Sequence, residues 1–281
     1  MAPHTTLITA PALATHLGDT GWAVVDCRHR LADGGFGRRA YAEAHISGAV
    51  FADIGDDLSA PVIAGKTGRH PLPDVAVLAG TLSAWGIDAS VQVAAYDDSG
   101  GSMAARLWWL LRWLGHDAVA VLDGGWPQWQ AQGLPLGHGE EARAARTFVP
   151  RVRRDWVLTA EQVNRVRSDP AWRVLDARNA DRFRGENETI DPVAGHVPGA
   201  HSVPYADNLE PDGCFKSPDT LRRRYLAVLG DTPAARAVCY CGSGVTAAHD
   251  ILAMVHAGLG DARLYAGSWS EWIVDPARPV A

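Results

Sequence analysis

The chain repeats part of its own sequence after about 150 residues, and this duplication limits its fold more than any other feature. Four residue pairs share an offset of 150 positions: Thr9 and Thr159, Trp22 and Trp172, Asp26 and Asp176, Arg28 and Arg178. Two motifs recur with slightly different offsets: Ala44–Ala49 with Gly195–Ala200, and Gly124–Trp129 with Gly267–Trp272. The match indicates two copies of a domain of roughly 130 residues, which are too few for a solenoid.

Each copy alternates short apolar runs with helical patterns. Runs typical of buried strands cover residues 22–26, 48–52, 91–96 and 119–122 in the first copy, and residues 172–176, 200–203, 236–240 and 262–265 in the second. This alternation predicts an α/β fold in which each domain is a parallel sheet flanked by helices. Gly, Pro, His and charged residues without periodicity predict a linker over residues 139–154, between domains over residues 1–138 and 155–281.

The composition argues against several classes of protein. Apolar residues make up 47% of the 281 residues, and the formal charge of -6 gives no reason to expect a nucleic-acid partner. The N-terminal residues 1–9 carry no basic segment, and no apolar run reaches about 18 residues, so we expect a cytoplasmic protein without membrane contact. The four cysteines are too few for a disulfide framework in a chain of this length.

Cys241 follows the predicted strand 236–240 and precedes a predicted helix over Ala247–Ala257. The glycines in such a turn let backbone N–H groups face inward, and the helix N-terminus adds about half a positive charge. Both effects favour a thiolate, so Cys241 is a candidate nucleophile. The first copy has Asp97 at the equivalent position, and a carboxylate cannot form a sulfur–sulfur bond. Catalysis is therefore predicted in the second copy alone.

Two common strand-loop-helix motifs do not fit. Gly65-Lys66-Thr67 lacks the glycine that a P-loop requires five positions earlier, where the chain has Ala60. Ser243 lacks the flanking glycines of a nucleophile elbow, because Cys241 and Val245 occupy those positions.

Three other chemistries are disfavoured. Gly242–Ala247 fits the dinucleotide fingerprint, but Asp261 precedes the next strand, whereas the ribose-binding acid belongs at its end. A cysteine-dependent phosphatase needs an arginine where this chain has Ala247. Cys239 and Cys241 are two residues apart and lack the further ligands of a zinc site, so we expect no metal.

Four motifs together resemble the rhodanese-type sulfurtransferases over nearly the full chain. They are Asp-x-Arg at residues 26–28 and 176–178, Gly-His-x-Pro-Gly-Ala at 195–200, Cys-Gly-Ser-Gly-Val-Thr-Ala at 241–247 and Gly-Ser-Trp-x-Glu-Trp at 267–272. The resemblance implies two tandem rhodanese-like domains, with residues 1–138 non-catalytic and residues 155–281 catalytic. The loop is similar to that of 3-mercaptopyruvate sulfurtransferases, whereas thiosulfate sulfurtransferases typically carry Arg and Lys at the positions of Gly242 and Ser243.

The resemblance implies that Cys241 carries sulfur from 3-mercaptopyruvate, as a persulfide, to a thiol or cyanide. The expected acceptor is a thiol such as thioredoxin or a low-molecular-weight thiol, and no cofactor is expected. The loop residues that would hold the charge of the reaction are Gly242, Gly244, Val245 and Thr246. Thiosulfate as donor, and a catalytically silent rhodanese-like binding module, remain as alternatives.

The resemblance also places His70, together with an acidic partner, beside Ser243. Ser243 would then bind the donor's carbonyl oxygen or relay a proton. Our alignment puts Gly55 where some relatives carry the acid, which leaves Asp53 or Asp56, and we assign Asp56.

Arg182 matches the family arginine that binds the donor's carboxylate, a role suited to a bidentate guanidinium. A second arginine of relatives has no evident counterpart, and we assign Arg184 in its place. His45 and His196 occupy equivalent positions, one in each copy. Because the copy without the cysteine keeps its histidine, a structural hydrogen bond is favoured for both over catalysis.

Overall fold

Residues 3–281, which this computed structural model describes, form two compact units. The first runs up to Ala60 and continues over Pro73–Arg153 and Pro211–Cys214. The second comprises Pro61–Leu72, Arg154–Glu210 and Phe215–Ala281. The segment 61–72, from the first copy of the sequence, thus belongs to the second unit. No sequence pattern indicated this exchange.

The first unit is a parallel sheet covered by helices. Its strands are β1 (Leu7–Ile8), β2 (Trp22–Asp26), β3 (His45–Ile46), β4 (Val50–Phe51), β5 (Gln92–Tyr96), β6 (Val119–Leu122) and β7 (Leu136–Gly137). Its helices are α1 (Ala10–Ala14), α2 (Phe36–Glu43), α3 (Val75–Ala84), α4 (Ala104–Trp113) and α5 (Gly125–Ala131). The parallel strands lie in the order β1-β6-β5-β2-β4, and β3 and β7 form a small antiparallel pair.

The second unit repeats this arrangement. Its strands are β8 (Arg173–Asp176), β9 (Ala200–Ser202), β10 (Ala237–Tyr240) and β11 (Arg263–Leu264), and its helices are α6 (Ala160–Val166), α7 (Ala180–Phe183), α8 (Pro218–Leu229), α9 (Ala247–His256) and α10 (Ser268–Trp272). The parallel order β11-β10-β8-β9 matches β6-β5-β2-β4. Leu7 pairs with Val121 in the first unit. Val157, which lies 150 residues after Leu7, forms the equivalent bridge to Leu264 in the second unit. The predicted parallel α/β architecture is confirmed.

The repeated threonines Thr9 and Thr159 begin helices α1 and α6 with side-chain caps. Thr9 accepts a hydrogen bond from Ala12 N–H at the start of α1. Thr159 and Gln162 form the reciprocal capping box of α6, which satisfies amide groups that a helix start leaves without partners.

An Asp-x-Arg ion pair is buried at the carboxyl end of β2 in the first unit and of β8 in the second. Arg28 Nη2 lies 2.6 Å from Asp26 Oδ2, and Arg178 Nη2 lies 2.7 Å from Asp176 Oδ2. The nearby carboxylates keep the pKa of both guanidinium groups above its usual value, although burial acts in the opposite direction. Both guanidinium groups therefore stay charged, and their ion pairs hold them in fixed positions.

Each buried guanidinium also lies over a tryptophan of the last repeated motif. The distance to the ring centroid is 4.4 Å from Arg28 to Trp126 and 4.9 Å from Arg178 to Trp269. These cation–π contacts connect the end of β2 to α5 and the end of β8 to α10.

The histidines that occur in both copies make equivalent structural contacts. His45 Nδ1 donates to Tyr41 O at 2.7 Å, and His196 Nδ1 donates to Phe183 O at 2.8 Å. Each imidazole also stacks on the ring of the residue whose carbonyl it binds. These bonds match the structural role predicted for both residues.

Among the described residues, no helix combines the length and the apolar character needed to cross a bilayer.

A buried polar cluster lies under helix α9. Asp250 Oδ1 accepts hydrogen bonds from Asn208 Nδ2 at 2.8 Å and from the Tyr225 hydroxyl at 3.0 Å. Asp250 Oδ2 is buried without a hydrogen-bond partner within residues 3–281. Burial raises the pKa of the Asp250 carboxyl to about 7, and Arg224 only partly offsets this effect. The carboxyl therefore titrates near neutral pH inside the folded unit.

Asp250→Asn should change how stability depends on pH. Because the pKa of Asp250 is higher in the folded than in the unfolded chain, its stabilising effect is full below about pH 4 and is lost as the pH rises through about 7. Between pH 5 and pH 8 wild type should thus lose on the order of a few kcal/mol of unfolding free energy that Asp250→Asn does not lose. The variant should therefore gain stability relative to wild type as the pH rises. Thermal unfolding of both proteins at the two pH values measures this difference, and an equal difference at both would contradict the prediction.

Candidate active site

Cys241 follows β10 directly and begins a loop that ends at helix α9. The cysteine is 2% exposed, and Gly244 N–H donates to its Sγ at 3.1 Å. Gly244 has a φ of 78°, and a Cβ at this position would lie 2.2 Å from Ala266 O. A side chain there would collide with backbone, so glycine is required for the loop to fold back over the sulfur.

The first turn of α10 holds the Cys241 loop through backbone and hydroxyl groups. Cys241 N–H donates to Ser268 Oγ at 3.1 Å, and Cys241 O accepts from Trp269 N–H at 2.9 Å. Gly242 O accepts from Ser270 N–H at 2.9 Å. The position of the sulfur therefore depends on α10 as well as on the loop.

Asp97 occupies the corresponding loop of the first unit. Its carboxylate accepts backbone N–H groups at 2.7 to 2.9 Å from Ser99, Gly101, Met103 and Ala104. Trp126 N–H donates to Asp97 O just as Trp269 N–H donates to Cys241 O, so the two loops are equivalent. The first loop is thus an anion-binding nest filled by its own side chain.

His70 and Ser243 share a hydrogen bond of 2.8 Å between Nδ1 and Oγ. Both residues belong to the second unit, because the segment 61–72 that carries His70 packs there. Ser243 is two residues from Cys241, so an imidazole and a hydroxyl that can exchange a proton lie next to the candidate nucleophile.

Arg69 and Arg182 both face the Cys241 loop. A Cβ on Gly242 would lie 2.8 Å from Arg69 Nη2 and 3.7 Å from Arg182 Nη1. Asp191 is ion-paired with both, through Oδ1 to Arg69 and through Oδ2 to Arg182 at 3.1 Å. Sequence reasoning missed Arg69, and its position directly before His70 was the signal that could have identified it.

Glu188 supports the same group of charges. It accepts from Arg182 Nη2 at 2.8 Å and from the backbone N–H groups of Ile190 and Asp191 at 2.9 Å. Burial opposes ionisation, but the Asp191 N–H and the Arg182 guanidinium together keep the pKa of Glu188 below its usual value. Glu188 is therefore a fixed negative charge that orients Arg182.

Two predicted site residues make other contacts. Arg184 is exposed and forms an ion pair with Glu186 at 2.7 Å. Asp56 belongs to the first unit and is exposed in a turn where Asp53 Oδ1 accepts its N–H. The roles assigned to Arg184 and Asp56 remain predictions.

The other cysteines are not activated. Burial raises the pKa of Cys27 and Cys239 well above the usual thiol value, and it raises the pKa of Cys214 to about 11. All of these side chains are free thiols. Within residues 3–281, no group of three or more His, Cys, Asp or Glu side chains is arranged to hold a metal ion.

The rhodanese-like domain model matches the chain twice, over residues 9–132 and 159–275. The chain is 50% identical over 276 residues to a probable 3-mercaptopyruvate sulfurtransferase of Pseudomonas aeruginosa, covering 98% of this chain and 97% of that protein. It is 41% identical to a putative thiosulfate sulfurtransferase of Mycobacterium tuberculosis, covering 98% and 96%. A solved structure of 3-mercaptopyruvate sulfurtransferase from Leishmania major is 32% identical, with a TM-score of 0.85 over 96% of this chain and 75% of that chain.

The chain therefore belongs to the rhodanese-like family, and it is a sulfurtransferase with two tandem domains of that type. The family resemblance predicted from the four sequence motifs is confirmed.

Asp97→Ala should destabilise the first unit. The substitution leaves the amide N–H groups around Asp97 buried without their acceptor, which should lower the free energy of unfolding by about 3 kcal/mol. Asp98→Ala is the matched control, because it removes only the ion pair with the half-exposed Arg30 and should cost less than about 1 kcal/mol. Urea denaturation compares the two variants, and equal losses would argue against the filled nest.

Proposed function

We propose that the protein transfers sulfur from 3-mercaptopyruvate to a thiol or cyanide through a persulfide on Cys241. The observation that carries this proposal is the convergence, around Gly242, of the Cys241 loop, two guanidinium groups and the His70–Ser243 hydrogen bond. The 50% identity to a probable 3-mercaptopyruvate sulfurtransferase supports the choice of donor.

In the first half-reaction, the Cys241 thiolate attacks the sulfur of the donor. The sulfur–sulfur bond forms as the carbon–sulfur bond breaks, and its electron pair leaves with the carbon fragment as the pyruvate enolate. The Ser243 hydroxyl, bonded to His70, donates to the carbonyl oxygen where the enolate charge develops. Protonation of the enolate carbon completes pyruvate.

Arg182 and Arg69 bind the donor's carboxylate. Both guanidinium groups lie beside the Gly242 backbone, and a planar guanidinium suits a carboxylate better than a point charge does. Asp191 holds the two groups together, and each retains further N–H donors for the substrate.

In the second half-reaction, an acceptor thiolate attacks the outer sulfur of the persulfide and the Cys241 thiolate leaves. The loop N–H groups, including that of Gly244, stabilise the sulfur charge in both half-reactions. The acceptor would be thioredoxin, a low-molecular-weight thiol or cyanide. A reducing compartment such as the cytoplasm would supply the thiol and keep Cys241 reduced.

Thiosulfate is a second candidate donor, because a relative 41% identical to this chain is named a putative thiosulfate sulfurtransferase. The ratio of kcat/KM for the two donors decides between them. A higher value with thiosulfate would overturn the assignment of 3-mercaptopyruvate as donor.

Cys241→Ser should abolish turnover, because a serine hydroxyl cannot store sulfur as a persulfide. Intact-mass spectrometry after donor treatment should show wild type gaining one sulfur atom, about 32 Da, and the variant gaining none. Cys239→Ser is the matched control, since Cys239 is a buried thiol with a raised pKa on the preceding strand. A sulfur adduct that persists in Cys241→Ser would contradict the mechanism.

Arg182→Met should raise KM for 3-mercaptopyruvate by about 10- to 100-fold, because a charged hydrogen bond to the carboxylate is lost. Arg236→Met is a control, since Arg236 is exposed just before the amino end of β10, at the opposite end of the strand from Cys241. Arg184→Met tests the role predicted for Arg184: a comparable rise in KM supports it, and an unchanged KM contradicts it. Steady-state kinetics measures all three.

A further inference from the structure

Ser268 has a strained backbone. Among residues 3–281 it is the sole non-glycine residue in the left-handed region, with a φ of 55°. An L-residue adopts this conformation at a cost, and such strain persists only where the surrounding structure enforces it. Strained residues are concentrated at functional sites, so the contacts of Ser268 are informative.

In the first copy, which has Asp97 in place of the cysteine, a glycine occupies the position equivalent to Ser268. Gly125 is the counterpart of Ser268 and has nearly the same φ, 54°, without strain. Two positions later the first copy has Pro127, where the second has Ser270. Two hydroxyl groups therefore occur at these equivalent positions in the copy that contains Cys241, and neither occurs in the copy that contains Asp97.

The Ser268 hydroxyl holds the backbone of the nucleophile. It accepts the Cys241 N–H at 3.1 Å and donates to Tyr265 O at 2.9 Å, and the residue is fully buried. Both hydrogen bonds fix the direction of the hydroxyl. The amide of Cys241, and with it the start of the Cα–Cβ–Sγ side chain, is thereby tied to the last strand-helix connection.

The Ser270 hydroxyl holds the segment that brings two site residues to the loop. It accepts Arg69 N–H at 3.1 Å, while the backbone N–H of Ser270 donates to Gly242 O. Ser270 thus connects the Cys241 loop to Arg69 and to the adjacent His70.

We propose that Ser268 and Ser270 are positioning residues of the sulfurtransferase: Ser268 orients Cys241, and Ser270 sets Arg69 and His70 against the Cys241 loop. The backbone strain at Ser268 is retained because its hydroxyl is needed for the reaction. The part concerning turnover rests on the proposed function, whereas the reactivity of Cys241 can be measured without any sulfur donor.

Ser268→Gly and Ser268→Ala test the first role. Both variants lose the hydroxyl, but glycine also relieves the backbone strain, so Ser268→Gly should have a higher urea midpoint than Ser268→Ala, while Cys241 reacts more slowly in both. The rate of iodoacetamide modification at Cys241, followed by peptide mass spectrometry, should fall about tenfold in both variants, and kcat with 3-mercaptopyruvate should fall similarly.

Ser83→Ala is the matched control for Ser268→Ala. The Ser83 hydroxyl has the same pair of bonds, accepting Phe148 N–H at 3.0 Å and donating to Ala79 O at 2.6 Å, but lies in the first unit. It should lower stability without changing the modification rate of Cys241. A modification rate in Ser268→Gly within twofold of wild type would overturn the role of Ser268. If wild type transfers no sulfur while Ser268→Gly still slows modification, the proposed function fails but the role of Ser268 stands.

Ser270→Ala tests the second role. Loss of the hydroxyl frees the Arg69 backbone, so tryptic cleavage after the exposed Lys66 should become several-fold faster, and KM for 3-mercaptopyruvate should rise more than kcat falls. Modification of Cys241 should stay close to the wild-type rate, since the bond from its amide to Ser268 remains. Unchanged cleavage would overturn the role of Ser270, and this result does not depend on which donor the enzyme uses.

Discussion

Backbone N–H groups that point into the turns after β5 and β10 require a hydrogen-bond acceptor, and both copies of the domain are built around this requirement. In the first copy the Asp97 carboxylate satisfies them permanently. In the second copy the Cys241 sulfur accepts the Gly244 N–H. A single residue type thus distinguishes the two loops, and this difference supports the proposal that only the second loop is catalytic.

The buried Asp-x-Arg pairs provide a rigid base for both loops. A buried ion pair contributes little net stability, because desolvation offsets the attraction between its charges, but it holds its members in one geometry. Arg178 is fixed by Asp176 and lies over Trp269, whose backbone N–H binds Cys241 O. The end of one strand therefore determines where the loop on the neighbouring strand can lie. The first copy keeps the equivalent contacts, from Asp26 through Arg28 and Trp126 to Asp97.

The charges proposed to bind the donor are balanced within the second unit. Asp191 and Glu188 neutralise much of the charge of Arg69 and Arg182 while no donor is bound, and they also keep the two guanidinium groups beside Gly242. A preorganised pair of arginines loses little side-chain entropy when a carboxylate arrives. The same arrangement favours a glycine directly after Cys241, because a larger residue at position 242 would displace the Arg69 guanidinium.

The duplicated parallel α/β fold was predictable from the sequence alone, because residue type and spacing along short stretches decide it. The same local patterns predict Cys241 as the nucleophile and a non-catalytic first loop. His70 was placed beside Ser243 by family resemblance, and the structure brings the two together. Only the tertiary structure decided that Arg69 lies beside Gly242, and that Ser268 accepts the Cys241 N–H. These contacts join residues far apart in the chain, and the packing of segment 61–72 and helix α10 brings them together, which no local pattern encodes.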